Sequence, residues 1–195
     1  MARTQAADYG ERREAMLDQA AALFARAGFQ GASMIELAGA CKVSKSLLYH
    51  YFPSKEDLLY EVMTSHLDQL VEDVDAVTSS NVSNGEKVSQ LAHAFMRHYI
   101  GAVDRQKVLL NELINLPEPR RGAIIRKQRL IIDTVQDLLS GLPTAPKDKA
   151  RLRALTMLFF GMINWTHTWF DPMGAVSPDD LADMVAALIM PEKGL

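Results

Sequence analysis

Residues 33–55 read SMIELAGACKVSKSLLYHYFPSK, and the order of caps, apolar positions and breakers in this stretch decides what the chain folds into. Ser33 and Glu36 stand in the Ser-x-x-Glu relation of a capping box, in which hydroxyl and carboxylate each satisfy an orphan amide, so a helix is expected to begin there. Met34, Leu37, Ala38 and Cys41 follow at the spacing of one helical face. Lys42 and Val43 interrupt that pattern before a second cap residue, Ser44. In the next helix Leu48 and Phe52 lie four apart and face inward, and Val43 can pack on Leu48 as a hydrophobic staple. Lys45, Ser46, Tyr49 and His50 are turned to the opposite side. Pro53 stops this helix and Ser54 caps another. Two short helices joined by a tight turn result, with a polar face left over.

That face combines a cation, small hydroxyls and flat rings with hydrogen-bonding tips, a combination suited to DNA. Lys45 and Lys55 can neutralise phosphates, and the hydroxyls of Ser33, Ser44, Tyr49 and Tyr51 can bond phosphate oxygens. The amides at three helix starts add anion sites. The short side chain of Ser46, with Leu47, lets the backbone approach base edges. Lys42 to Lys55 contains three lysines and no acidic residue, whereas residues 1–63 hold seven Lys or Arg against eight Asp or Glu, so the attraction is a patch and not a field. The competing reading is a three-helix packing unit with a solvated polar face.

The stretch resembles the TetR family of transcriptional regulators. The resemblance rests on GFQGAS at 28–33, on Leu37-Ala38, and on VSKSLLYHYFPSKEDL at 43–58. It covers about the first third of the chain, and the remainder only through its helical organisation. One departure is Lys42, at a turn position that is usually glycine in this family. If the turn needs a positive φ, lysine there costs about 1 kcal/mol relative to glycine, while its charge can reach a phosphate.

The 195 residues, 48% of them hydrophobic, suffice for a small reading unit and a larger helical unit with its own core. The net charge of −3 excludes a wholesale polyanion binder. One cysteine, Cys41, expected in the core, excludes a disulfide framework or thiolate metal cluster. The longest apolar run, Leu155 to Trp165 with Thr156 and Asn164 inside it, is too short to span a bilayer, and no secretory signal is evident. A cytoplasmic location without membrane contact is expected.

Residues 1–9 are polar, and Arg3, Arg12 and Arg13 are either a DNA-reaching arm or part of a solvated tail. A first helix is expected from about Glu11 to Ala27, stopped by Gly28. A long helix from Lys55 to about Val77 follows the reader, and Thr78 to Gly85 form a loop. Further helices are expected at about Glu86 to Val103, Arg105 to Leu116, Arg120 to Leu139, Lys147 to Phe170 and Pro178 to Met190, with prolines in the gaps. The expected fold is therefore all-α with about nine helices. Its N-terminal three-helix helix-turn-helix DNA-binding domain spans residues 1–54, and a larger helical effector-binding and dimerisation domain spans 55–195.

Between Leu152 and Phe170 the chain is apolar around most of a helix, which requires a core on one side and a partner on the other. Leu181, Met184, Val185 and Leu188 form another apolar stripe. In TetR-like proteins the last two helices pair with their copies, which points to Leu158, Gly161 and that stripe as a homodimer interface. Gly161 permits close helix approach. A two-fold dimer sets two readers about 34 Å apart, or a multiple of it, on a palindromic double-stranded operator.

Phe95, Met96, Tyr99, Leu109, Leu113, Phe159, Met162, Trp165 and Trp169 are either ordinary core or the wall of a pocket; Met162, Trp165 and Trp169 share a face if the helix continues. The family resemblance, in which this domain typically binds a small effector, favours the pocket, and its apolar character favours a lipid-like or aromatic ligand. The run FGMINWTHTWFDPMG at 160–174, followed by SPDDL at 177–181, resembles the TetR subset that senses acyl-CoA thioesters and controls fatty-acid, phenylacetate or steroid degradation. Arg120, Arg121, Arg126, Lys127 and Arg129 then serve either CoA phosphates or a solvated helix face.

His93 and His98 are five apart, about 140° around a helix, and do not converge on a metal. His66 is a core or pocket group, and His167 lies at the dimer seam or is bonded nearby. No nucleophile-base pair, phosphate loop or metal set stands at a recognisable spacing, so neither catalysis nor a cofactor is expected. The function that follows is a ligand-responsive transcriptional regulator, a repressor released by a small apolar effector such as an acyl-CoA. A ligand-independent architectural DNA binder and a helical protein-interaction module are the alternatives.

Overall fold

The computed structural model describes residues 2–191, with side chains from residue 9. All regular structure among them is helical: α1 Ala2–Gly31, α2 Met34–Ala40, α3 Lys45–Tyr51, α4 Lys55–Thr78, α5 Asn84–Gly101, α6 Val103–Asn111, α7 Glu118–Ser140, α8 Lys149–Asn164 and α9 Pro178–Ile189, with 3-10 turns at Leu113–Asn115 and Trp165–Thr168. The expected all-α architecture is what the chain adopts. The chain divides into two compact units, Met1–His66 with Asp104–Ile124, and Leu67–Val103 with Ile125–Leu195.

The first unit closes over Leu17, Phe24, Leu37, Leu48, Phe52, Leu58, Leu59 and Met63, all without solvent contact or nearly so. Each comes from the apolar stripe of a helix, so the 3.6-residue period directs these side chains into one core. The helix expected to stop at Gly28 instead bends there: Gly28 adopts φ 72, ψ 162, a conformation essentially restricted to glycine, and one more turn runs to Gly31. Arg105 from α6 is 5% exposed and ties that helix to α1 and α4. Its guanidinium donates to Asp18 (2.9 Å), Ser65 Oγ (2.9 Å) and Glu14 Oε2 (2.9 Å).

The second unit is built on an aromatic cluster. Phe95 stacks on Tyr99 (6.2 Å between centroids) and meets Phe159 (6.4 Å) and Phe160 (5.9 Å). Capping boxes start α5 (Ser83, Glu86) and α9 (Ser177, Asp180), and Asp148 caps α8. Two helices end earlier than their apolar pattern suggests. α6 gives way to a 3-10 turn before Leu116, and α8, expected to reach Phe170, stops at Asn164. At the latter end side chains compete for the backbone: Thr166 Oγ1 bonds Ile163 O (2.7 Å), His167 Nδ1 lies 2.7 Å from Asn164 O, and Thr168 Oγ1 bonds Trp165 O (2.8 Å). Such i to i−3 bonds tighten the chain into a 3-10 turn.

Candidate functional site

The reading element is assembled by local bonds that the sequence encodes. Glu36 N–H donates to Ser33 Oγ (3.2 Å), and Glu36 Oε2 accepts from Ser33 N–H (2.9 Å), completing the capping box. At the other end of α2 the chain turns over at Lys42, φ 55, with Val43 N–H bonded to Ala38 O (3.0 Å) and Lys42 N–H to Gly39 O (3.1 Å). That pair of bonds is a Schellman closure. Ser44 then caps α3 by accepting from Leu47 N–H (3.1 Å). The result buries Leu48, half-buries Leu47 and Tyr51, and leaves Lys45, Ser46, Tyr49 and His50 exposed on one short helix. Lys45 Nζ lies 5.7 Å from the Tyr49 ring centroid, and Tyr51 stacks on Tyr9 (4.6 Å). Grooves flank α3, one lined by Arg12, Gln19, Lys42 and Leu47, the other by Gln30, Ile35, Lys45 and Tyr49.

In the second unit, α8, the turn after it and α9 form a continuous apolar groove. Leu158, Gly161, Leu181, Met184, Val185 and Leu188 all line it, joined by Met157, Met162, Trp165 and Trp169. Leu158 is 62% exposed, Trp165 65% and Leu188 69%. So much apolar side-chain surface, gathered in one place, is more than the scattered single residues of an ordinary protein surface.

Residues 16–62 match the bacterial regulatory proteins, tetR family, and residues 81–191 match the tetracyclin repressor-like, C-terminal domain. The chain belongs to the TetR family of transcriptional regulators. A crystal structure of a TetR-family transcriptional regulator from Bordetella parapertussis is 42% identical, with a TM-score of 0.85 over 93% of this chain and 95% of that one. AibR in complex with isovaleryl coenzyme A and operator DNA is 26% identical, with a TM-score of 0.80 over 92% and 98%. The HTH-type transcriptional activator FasR of Mycolicibacterium smegmatis is 29% identical over 76% of this chain and 68% of its own length. This TetR-family protein is thus a ligand-responsive DNA-binding regulator that works with DNA and with a second copy of itself.

Within this regulator two of the expected DNA contacts are already engaged. The Ser33 hydroxyl donates to Glu36 Oε2 (2.8 Å), which spends its proton and sets a carboxylate beside it. That bond also holds the Glu36 carboxyl below the usual range. Lys55 is engaged more fully: its ammonium donates to Phe29 O (2.8 Å) and Ala32 O (2.8 Å) and lies 4.3 Å from the Phe29 ring centroid. It closes the C-terminal end of α1, whose last carbonyls have no helical partners. Arg13, considered for a DNA-reaching arm or a solvated tail, pairs with Glu61, while Arg12 lines a groove beside α3. Arg3 lies outside the residues whose side chains are described.

The nine side chains considered for a pocket are distributed over both units. Phe95, Met96, Tyr99 and Phe159 are buried in the second unit, whereas Leu109 and Leu113 belong to the first. Met162, Trp165 and Trp169 line the exposed groove, because the early end of α8 re-aims the two tryptophans. Of the cations on α7, Arg120 pairs with Asp57, Arg121 with Glu118 and Lys127 with Asp68; Arg126 and Arg129 are exposed. Cys41 is half-buried, not core, and burial pushes its thiol pKa up.

His66, His93 and His98 each have a side-chain partner. His66 Nε2 meets Gln106 Oε1 (2.8 Å) in the interior, His98 pairs with Asp73 (2.6 Å), and His93 sits between Asp179 (3.1 Å) and Asp183 (2.8 Å). Among the described residues no His, Cys, Asp and Glu group is arranged to hold a metal ion, and no helix is long and apolar enough to cross a membrane. Arg105 and Glu112, which hold α6 on α1, carry no sequence signal, since each is recognised only by its distant partner.

Proposed function

We propose that this protein is a repressor whose dimer occupies a palindromic operator and leaves it when a small apolar effector, an acyl-CoA thioester, binds the helical second unit. The observation that carries the DNA half is the exposed face of α3, where Lys45, Ser46, Tyr49 and His50 stand together without a carboxylate. Lys42, Ser44 and Tyr51 flank it as phosphate contacts, and Ser46 and Leu47 lie where base edges are approached. The groove of α8 and α9 is the self-association face, and the dimer it makes carries two α3 helices to half-sites about 34 Å apart or a multiple of it. Support for the effector comes from AibR, whose complex holds both isovaleryl coenzyme A and operator DNA.

Release follows as a population shift. The helix α4 has its first half in one unit and its second half in the other, so an effector that prefers one arrangement of the second unit biases where the readers stand. A differential affinity of a few kcal/mol between the two arrangements is sufficient. The test is fluorescence anisotropy of the protein on duplex DNA from upstream of its own gene, titrated with isovaleryl-CoA, longer acyl-CoA thioesters and the matching free acids. Release by a thioester and not by its acid is expected. Tight binding that every thioester leaves undisturbed rejects the effector, and DNA binding strengthened by a thioester rejects release as the mechanism.

A further inference from the structure

The chain passes between the two units at three places, 66/67, 103/104 and 124/125. Two of these are the ends of one segment, 104–124, which leaves the second unit, crosses the first and returns. Whatever it grips in the first unit is tethered to the second at both ends. Arg105 grips the middle of α1 through Glu14 and Asp18. Glu112 grips something more consequential.

After the glycine-only bend at Gly28, the amide of Phe29 follows a backbone that has left the α1 ladder. Glu112 Oε2 accepts that amide (3.2 Å). A Cβ built on Gly28 would stand 3.6 Å from Glu112 Oε1, so the carboxylate lies directly against the bend. Asn115 Nδ2 donates to Glu112 Oε2 (2.7 Å), and Gln30 Nε2 donates to Asn115 Oδ1 (3.1 Å), which fixes the carboxylate and adds a second link. The carbonyls of Phe29 and Ala32 go to Lys55. The strap of residues 28–32, which delivers the chain to the Ser33 cap of α2, is therefore held at its amide by the end of α6 and at its carbonyls by the first residue of α4.

We propose that Glu112 is the positioning residue that sets the helix-turn-helix: through the Phe29 amide it ties the start of α2 to the segment anchored in the effector unit, without touching DNA. The proposal rests on the DNA-regulator reading above and deepens it by naming the contact, on the segment whose two ends continue into the second unit, that holds the reader's start.

The test compares wild type with Glu112→Ala, Glu112→Gln and Asn115→Ala in the full chain. Amide hydrogen exchange over residues 24–33, measured without DNA, should accelerate in Glu112→Ala and return to wild type in Glu112→Gln, whose amide oxygen still accepts from Phe29. On a duplex that the wild type selects from a random pool, Glu112→Ala should bind on the order of tenfold more weakly. Its salt slope should be unchanged, since no phosphate contact is lost, and Asn115→Ala should fall between. Wild-type exchange in Glu112→Ala overturns the proposal, as do wild-type affinity, a glutamine variant as defective as alanine, or an altered slope. If the wild type selects no duplex, the regulator reading fails and the exchange data alone decide the Phe29 link. If isovaleryl-CoA leaves the wild type on DNA, only the effector reading falls.

Discussion

Lys42 holds the left-handed position of the turn between α2 and α3, with φ 55, where a Cβ is disfavoured and glycine is not. Lys42→Gly should therefore raise stability by about 1 kcal/mol in urea unfolding. It should also weaken DNA binding and lower the salt slope by about one charge, because the exposed ammonium is gone. Opposite signs in two assays separate strain from contact; loss of stability in the glycine variant would refute the conformational account. Lys55 behaves differently. Removing its ammonium leaves two helix-end carbonyls without their donor, so Lys55→Met should cost about 1–3 kcal/mol of stability and leave the salt slope of DNA binding unchanged. From the sequence alone Lys42, Lys45 and Lys55 are equivalent cations on one stretch. The turn and its caps are legible because they are contacts within a few residues, whereas the fate of each ammonium depends on acceptors as distant as Phe29, which no local pattern reports.

At the scale of helices the same distinction holds. The capping box at Ser33 is readable as four adjacent letters, and Ser83 with Glu86 and Ser177 with Asp180 use the same grammar to start α5 and α9. The junction of α5 with α9 has no such signature. His93 reaches across it to Asp179 and Asp183, one turn apart on α9, and an imidazole facing an acceptor at each nitrogen is satisfied at both only when protonated. Burial works against that charge, but the hydrogen bonds and negative charges of Asp179 and Asp183 together outweigh it and hold the pKa above the ordinary histidine value. Arg97 lies 3.8 Å from Asp179, and Asp73 of α4 lines the same groove while paired with His98. With the folded pKa raised above about 6.5, the stabilisation is complete below that pH and is lost as pH rises through the folded value. The urea midpoint should accordingly fall between pH 6 and pH 8.5, and His93→Gln should flatten this change. An equal fall in the glutamine variant would assign it to other groups. The residues of this contact were visible in the sequence, but a pairing 86 and 90 positions apart was not.

For the molecule as a whole the decisive surface is the apolar groove of α8 and α9. The six residues that the family resemblance points to, Leu158, Gly161, Leu181, Met184, Val185 and Leu188, all line this groove. The two tryptophans were assigned elsewhere because the early end of α8 is set by Thr166, His167 and Thr168 and not by apolar period. Their placement supplies a direct assay. The chain has two tryptophans, Trp165 and Trp169, and both line the groove with more than half their surface open, so tryptophan fluorescence, excited selectively over tyrosine, reports on that face. Covering the groove with a second copy transfers both indoles from water to an apolar setting. Emission should therefore shift to the blue as protein concentration rises through the dimer dissociation constant. In Leu188→Asp the shift should move to much higher concentration or vanish, while far-ultraviolet dichroism stays helical, because Leu188 contributes little to the fold of the single chain. Operator affinity should fall with it, since a single reader keeps one half-site and loses the gain of two linked contacts, on the order of a hundredfold or more. A Leu188→Asp protein that still shows the wild-type shift would place the self-association surface away from this groove. One that becomes monomeric yet binds the full operator with wild-type affinity would show that recognition does not need the pair.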